Sequence, residues 1–150
     1  MRSESWRRYS EQMNDTGGQR SETVTDGIRV RVTASFVPAQ SVVDGPEIER
    51  RFAFSYTVTV INEGRATATL LARHWVITDG NGHEEHVRGP GVVGFQPCLA
   101  DGQSFTYSSG AVLRAPPGTM HGEYLMERDD GTRFDAVIAP FALVQPDAVH

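Results

Sequence analysis

Lysine is missing altogether: the fourteen basic residues of this 150-residue chain are all arginines. That excludes lysine Schiff-base chemistry and the lysine of a phosphate-binding P-loop. Cysteine is reduced to Cys98, so no intrachain disulfide can form, and a reducing compartment is expected. Long apolar runs are lacking as well. No stretch approaches the ~20 residues of a membrane-spanning helix. The opening segment, MRSESWRRYSEQMNDTGGQR, has no apolar core of the secretory kind. The expectation is a cytoplasmic protein without membrane insertion. Excess positive charge is also absent. A formal net charge of −5 argues against nucleic acid and anionic membranes as general partners.

What is present is alternation. Ile28, Val30, Val32, Ala34 and Phe36 alternate with Arg29, Arg31, Thr33 and Ser35. This is the period of a half-buried strand with its arginines in water. Phe52, Phe54, Tyr56, Val58 and Val60 repeat the pattern, and Asn62-Glu63-Gly64 ends it with turn chemistry. Further β-like runs are Thr67 to Thr78, His83 to Arg88, Ser104 to Leu113, Met120 to Met126, Arg133 to Ile138 and Phe141 to Val144. Asp79-Gly80-Asn81-Gly82, Ala115-Pro116-Pro117-Gly118 and Asp129-Asp130-Gly131 punctuate them as turns. No window of helical length has helical periodicity. The reading is an all-β chain of seven to eight strands, an antiparallel β-sandwich of the immunoglobulin or fibronectin type III kind. The Cys–Trp–Cys core of immunoglobulin domains is absent, which favours the fibronectin-like variant. Residues 1–20 are expected to be a flexible tail, 21–145 the domain and 146–150 a second tail. Trp6 and Tyr9 then belong to the exposed tail, and Met13 is an alternative start.

Between the fourth and fifth of these runs lies Gly89-Pro90-Gly91-Val92-Val93-Gly94-Phe95-Gln96-Pro97. It spells G-x-G-x-x-G, the pattern of dinucleotide binding. That use needs a helix opening at the glycines. Gln96-Pro97 and Asp101-Gly102 leave no room for one before Ser104. The motif is therefore a rigid glycine loop in a β protein, with three readings. Consecutive backbone N–H groups could form an anion nest, with Arg73 and Arg88 adding charge-assisted bonds to pyrophosphate or a dinucleoside polyphosphate. The glycines could serve only positive φ and tight packing. Val92, Val93 and Phe95 could present an apolar face to a protein partner.

The order of segments is similar to the ApaG family. The matching residues are Arg73-His74-Trp75, Ile77-Thr78-Asp79, Val87 through Pro97, Phe105 through Gly110, Gly118 through Met126, and Phe134, Ile138, Pro140 and Phe141. The resemblance covers nearly everything from Glu22 to Leu143. It implies a fibronectin type III-like sandwich. In bacteria it implies a stand-alone cytoplasmic protein, linked by name to cobalt tolerance and magnesium efflux. In eukaryotes the same domain is appended to F-box proteins and to a DNA polymerase-interacting protein, as a protein-binding module. It supplies no established catalytic residue. Pro90 and Phe95 stand where many members are expected to carry acidic residues, so no role for loop carboxylates carries over.

Other chemistry-bearing residues have plainer readings. His83-Glu84-Glu85-His86 looks like a metal cluster, but in a strand His83 and Glu85 share one face while Glu84 and His86 share the other. An exposed polar edge strand explains it. His74 and His121 are candidate acid–base residues without a marked nucleophile. Cys98 reads as a small packing residue, and Tyr107, Tyr124, Met120 and Met126 as core or rim packing. Asp129-Asp130 is explained by its turn. The expectation is a non-enzymatic module with no cofactor, no catalytic residue and no metal site. Its binding set is Gly89, Gly91, Val92, Val93, Gly94, Gln96 and Pro97, with Arg73 and Arg88. The expected occupant is an unknown protein partner, the alternative a phosphate-containing small molecule. A homodimer through a polar edge strand is left open.

Overall fold

Strict alternation along the chain sends every second side chain to one face. Two such faces bury each other in the computed structural model, which describes residues 19–146. Trp6, Tyr9 and Met13 lie outside the described residues. Nine strands follow in order: β1 Gln19–Thr25, β2 Ile28–Phe36, β3 Phe52–Asn62, β4 Ala68–Thr78, β5 Glu84–Pro90, β6 Cys98–Leu99, β7 Ser104–Leu113, β8 Gly118–Arg128 and β9 Arg133–Leu143. No α-helix occurs among the described residues; two short 3-10 turns sit between β2 and β3. The first sheet has the order β1-β2-β3-β7. The second has the order β5-β4-β8-β9, with β6 also paired to β4. All pairings are antiparallel. The expected sandwich is the observed fold.

The strand count is a correction to the seven or eight expected. β1 has the sequence QRSETVT, with no apolar alternation to announce it, and it forms as the hairpin partner of β2. It begins at Gln19, so Gln19 and Arg20 lie in the sheet and not in a tail reaching residue 20. β6 has two residues, too short for periodicity. Conversely, the runs expected at 133–138 and 141–144 are one strand. Register slips between Met120↔Phe141 and Gly122↔Ile138, so Ala139 and Pro140 together face His121. This β-bulge absorbs Pro140, whose missing N–H would otherwise break the ladder.

The core lies between the sheets. Ile28, Val30, Val32, Val58 and Val60 from the first sheet meet Leu70, Trp75, Met120, Tyr124, Met126 and Ile138 from the second. All are buried. Tyr107 and Tyr124 sit within it, their hydroxyls 2.5 Å apart. Burial raises the pKa of both phenols, and more than offsets the smaller opposing pull of Arg73. Met120, Met126, Tyr107 and Tyr124 are thus packing residues, as expected. Among the described residues, Asn62 is the buried polar exception and is fully bonded. Its amide donates to the Ala66 and Leu99 carbonyls at 2.9 Å, and its oxygen accepts from the Gly64 N–H at 3.0 Å.

The two flanks of the sandwich differ. On one, β1 and β9 close the gap: Ser21 Oγ donates to the Ala139 carbonyl at 2.8 Å, and Thr25 Oγ1 accepts from the Val137 N–H at 3.1 Å. On the other, β7 ends the first sheet and β5 and β6 end the second. The glycine loop joins β5 to β6 along this second flank.

Candidate functional site

A bulge in β4 creates the seat of the loop. Register slips between Leu70 and Ala72, which turns Leu71 out of the β4–β8 ladder. Its freed carbonyl accepts from the Gly91 N–H at 2.8 Å and from Gln96 Nε2 at 2.9 Å. The Leu70 N–H donates to the Pro97 carbonyl at 2.9 Å. Both roots of the loop are therefore fastened to one point of β4. Between them, Val92 and Phe95 exchange two N–H···O bonds of 2.8 Å each. The residues that turn the corner are Val93, at φ 42°, and Gly94, at φ 85°. Positive φ at both central positions is the type I′ hairpin pattern.

Arg73 braces this loop. Its Nη1 donates to the carbonyls of Pro90 and Gly91, each at 3.0 Å. The guanidinium lies directly over Gly89, where any Cβ would meet it at 2.8–2.9 Å. Gly91 combines φ 57° with a Cβ direction that points into the Phe95 carbonyl. Arg73, Gly89 and Gly91 thus build the loop.

The expected binding residues divide accordingly. Val92 is wholly buried and belongs to the core, which removes it from any partner-facing set. Gln96 and Pro97 fasten the loop to β4. Val93 is 50% exposed and Phe95 60% exposed. Phe95, which the sequence places only on the loop's apolar face, is the larger exposed surface. Its ring lies 5.9 Å from that of Phe105 on β7. Together with Pro97, Cys98 and Leu99 these rings line an open groove of about 430 Å³ between β6 and β7. Cys98 is exposed there, which corrects its reading as a packing residue. The anion-nest reading loses three of its donors, because the N–H groups of Gly91, Val92 and Phe95 are all bonded within the fold.

Arg88 faces elsewhere. It stands opposite His74 in register, beside a second groove of about 420 Å³ that also includes Arg73, Glu123, Leu125 and Asp135. Across this outer face runs a chain of four side chains from three strands. Glu123 Oε2 lies 2.6 Å from His74 Nδ1, and His74 Nε2 lies 2.9 Å from His86 Nδ1. His86 Nε2 lies 3.1 Å from Glu84 Oε1. The expected pairing of Glu84 with His86 on one face holds, and His83 takes no part. His74 and His86 are far apart in sequence, so nothing local announced their meeting. Both nitrogens of each ring are committed. Among the described residues, no group of three or more His, Cys, Asp or Glu converges as a metal cage would. His121 is exposed on the same face, and Asp130 accepts the Thr132 N–H at 2.9 Å, which lowers its carboxyl pKa.

Comparison with known proteins agrees with this architecture. The family model described as the ApaG domain matches residues 45–128. Protein ApaG of Ectopseudomonas mendocina is 54% identical over 123 residues, covering 82% of this chain and 94% of its own. Protein ApaG of Aromatoleum aromaticum is 51% identical over 130 residues, covering 87% and 99%. A crystal structure of a Bordetella pertussis protein given the name ApaA superposes with a TM-score of 0.73 at 40% identity, covering 86% of this chain and 98% of that one. The structural-genomics target SoR45 superposes at 0.76 with 41% identity, over 83% and 92%.

Proposed function

The chain belongs to the ApaG family, and we propose that it is a non-enzymatic module that captures a protein partner through the tip of the 89–97 loop. The observation that carries this reading is Val93. A β-branched residue at positive φ is disfavoured by roughly 1–3 kcal/mol. Here it occupies such a position with half its surface in solvent, beside the more exposed Phe95. Neither side chain is needed to fasten the loop, which Arg73, Leu71 and Gln96 hold. An apolar tip on a braced hairpin suits a protein surface, because little ordering entropy is left to lose on binding. A role in divalent-cation homeostasis would then be indirect, exerted through the partner in the cytoplasm.

The test places a photo-crosslinking phenylalanine analogue at position 95 of the full chain, expressed in its native cell. A discrete protein adduct that disappears in Val93→Asp, with the thermal midpoint of that variant no lower than wild type, is the expected result. Adducts indifferent to Val93→Asp would overturn the reading. Gly91→Asp is unsuitable for this purpose, because it would break the loop itself. Pyrophosphate added to the labelled protein addresses the competing reading. Saturable shifts around Arg88 that Arg88→Ala abolishes would move the function to a phosphate ligand.

A further inference from the structure

The last strand of a sheet keeps half of its backbone groups free, and the bonds beside β7 fix which half. The Val37 N–H donates to the Ala53 carbonyl at 2.8 Å, so odd-numbered residues of β3 bond toward β2. The Asn62 N–H donates to the Gln103 carbonyl at 2.9 Å, so even-numbered residues of β3 bond toward β7. The register then turns Phe105, Tyr107, Ser109 and Ala111 toward β3. The N–H and C=O groups of Ser104, Thr106, Ser108, Gly110 and Val112 point away from the sheet. Among the described residues, none of these groups is bonded.

Bare edges of this length are normally defended by charge, proline or a bulge. β5, which ends the other sheet on the same flank, has Glu84, Glu85, Arg88 and Pro90. β7 has no such device. Its ten residues, SFTYSSGAVL, include no charge and no proline, and its register with β3 never slips. The groove that holds Phe95 and Phe105 opens beside its first residues, and the lining of that groove is uncharged.

Building on capture at the loop tip, we propose that the partner presents an extended segment, which pairs with the outer edge of β7 and lays an apolar side chain against Phe95 and Phe105 in the groove. Free N–H and C=O groups recur along this edge at strand spacing, and another extended backbone is what matches them. The side chains of a paired strand alternate as well. Those on the core side stand beside Phe105, about 5 Å away, over a groove that offers a charge no partner. Those on the outer side stand beside Thr106 and Ser108, whose hydroxyls bond Thr59 and Thr57. The occupant is therefore apolar on one face and polar on the other. A second copy of this chain fits less well. Paired edge to edge, it would bring Phe105, Tyr107, Ala111 and Leu113 on its core side, and all four pack in or against their own core. The groove would stay empty.

The test selects linear peptides from a phage-displayed library on the full chain, then follows amide exchange of the complex by NMR. Selected peptides should alternate apolar and polar residues. On binding, the amides of Thr106, Ser108, Gly110 and Val112 should gain protection, while those of Tyr107, Ser109 and Ala111, already bonded to β3, should change little. A contact through side chains alone gives no such period of two. Ser108→Pro removes one outward N–H without touching the ladder to β3, and should weaken binding about tenfold. Ser108→Lys keeps the backbone and defends the edge with a charge, and should weaken binding in the same direction if the proline variant fails to fold. Peptides that shift only Val93 and Phe95, with no alternate protection along β7, would overturn strand addition and leave capture at the tip standing. So would photo-adducts at position 95 with no linear peptide selected. Protection of the same amides in the chain alone, with a doubled mass in solution, would overturn it in favour of a second copy. Alternate protection without any adduct at position 95 would uphold strand pairing and overturn capture at the tip alone.

Discussion

Two hairpin turns in this molecule share a backbone and differ in what they carry. At the β1–β2 turn, Asp26 and Gly27 take φ 48° and 80°; at the loop tip, Val93 and Gly94 take 42° and 85°. An arginine braces each. Arg128 Nη2 donates to the Asp26 carbonyl at 2.5 Å, as Arg73 Nη1 does to Pro90 and Gly91. The first turn uses the residue such a corner favours, because a short polar side chain tolerates the left-handed region. The second uses valine, which does not. The turns also face oppositely. Ile28, closing the first, is wholly buried, whereas Phe95, closing the second, is 60% exposed. The first turn is therefore accounted for by the fold. In the second, strain and exposed apolar surface coincide, and the proposed role in partner capture would account for both.

Substitution sharpens this contrast. The largest effect is expected for Gly91→Ala, where unfavourable φ combines with a collision against the Phe95 carbonyl. A loss on the order of 3 kcal/mol is expected by urea denaturation. Gly27→Ala meets Gly64 backbone at 3.1 Å and has comparable φ, and should lose about 1–2 kcal/mol. Equal losses would mean that the loop is no more constrained than the ordinary turn. Next comes a reciprocal pair. Asp26→Val puts the strained residue into the conventional turn and should destabilise by about 1–2 kcal/mol. Val93→Asn removes the strain and should stabilise by about 1 kcal/mol, while weakening partner capture. A destabilised Val93→Asn would show that valine serves the fold there.

Most of the sandwich was legible because half-buried strands write their period into the chain. β2 and β3 alternate without interruption. β1 was not, since it is polar on both faces and owes its place to pairing. In the sequence β9 looks like two strands because a proline signals a break, and only the register of β8 reveals a bulge instead. The loop was visible as a glycine pattern, but the meaning of each glycine was not. Gly89 exists to admit Arg73, and Gly91 to pass the Phe95 carbonyl. Both are contacts across a fold that no local spacing encodes. The His74–His86 meeting was hidden for the same reason, since it joins a diagonal pair on neighbouring strands. Leu71, whose bulge seats the whole loop, left no mark in the sequence beyond a break in alternation at Leu70-Leu71.

The smallest effect on stability is expected where the largest effect on capture should fall. Phe95→Ser removes a ring that is mostly in solvent and packs against the ring of Phe105. An exposed aromatic pair of this kind contributes under about 1 kcal/mol. The backbone bonds between Val92 and Phe95 are unchanged by the substitution, and the φ of both central residues stays as it was. The variant should therefore unfold at nearly the wild-type urea concentration and lose its partner. If it unfolds early, Phe95 is the lid of the groove between β6 and β7, and the tip is part of the core after all. If it is stable and still captures, binding rests on Val93 alone or on another surface. The turn at Asp26 offers the control, because Asp26→Asn keeps a short polar side chain in the left-handed region and should change neither property.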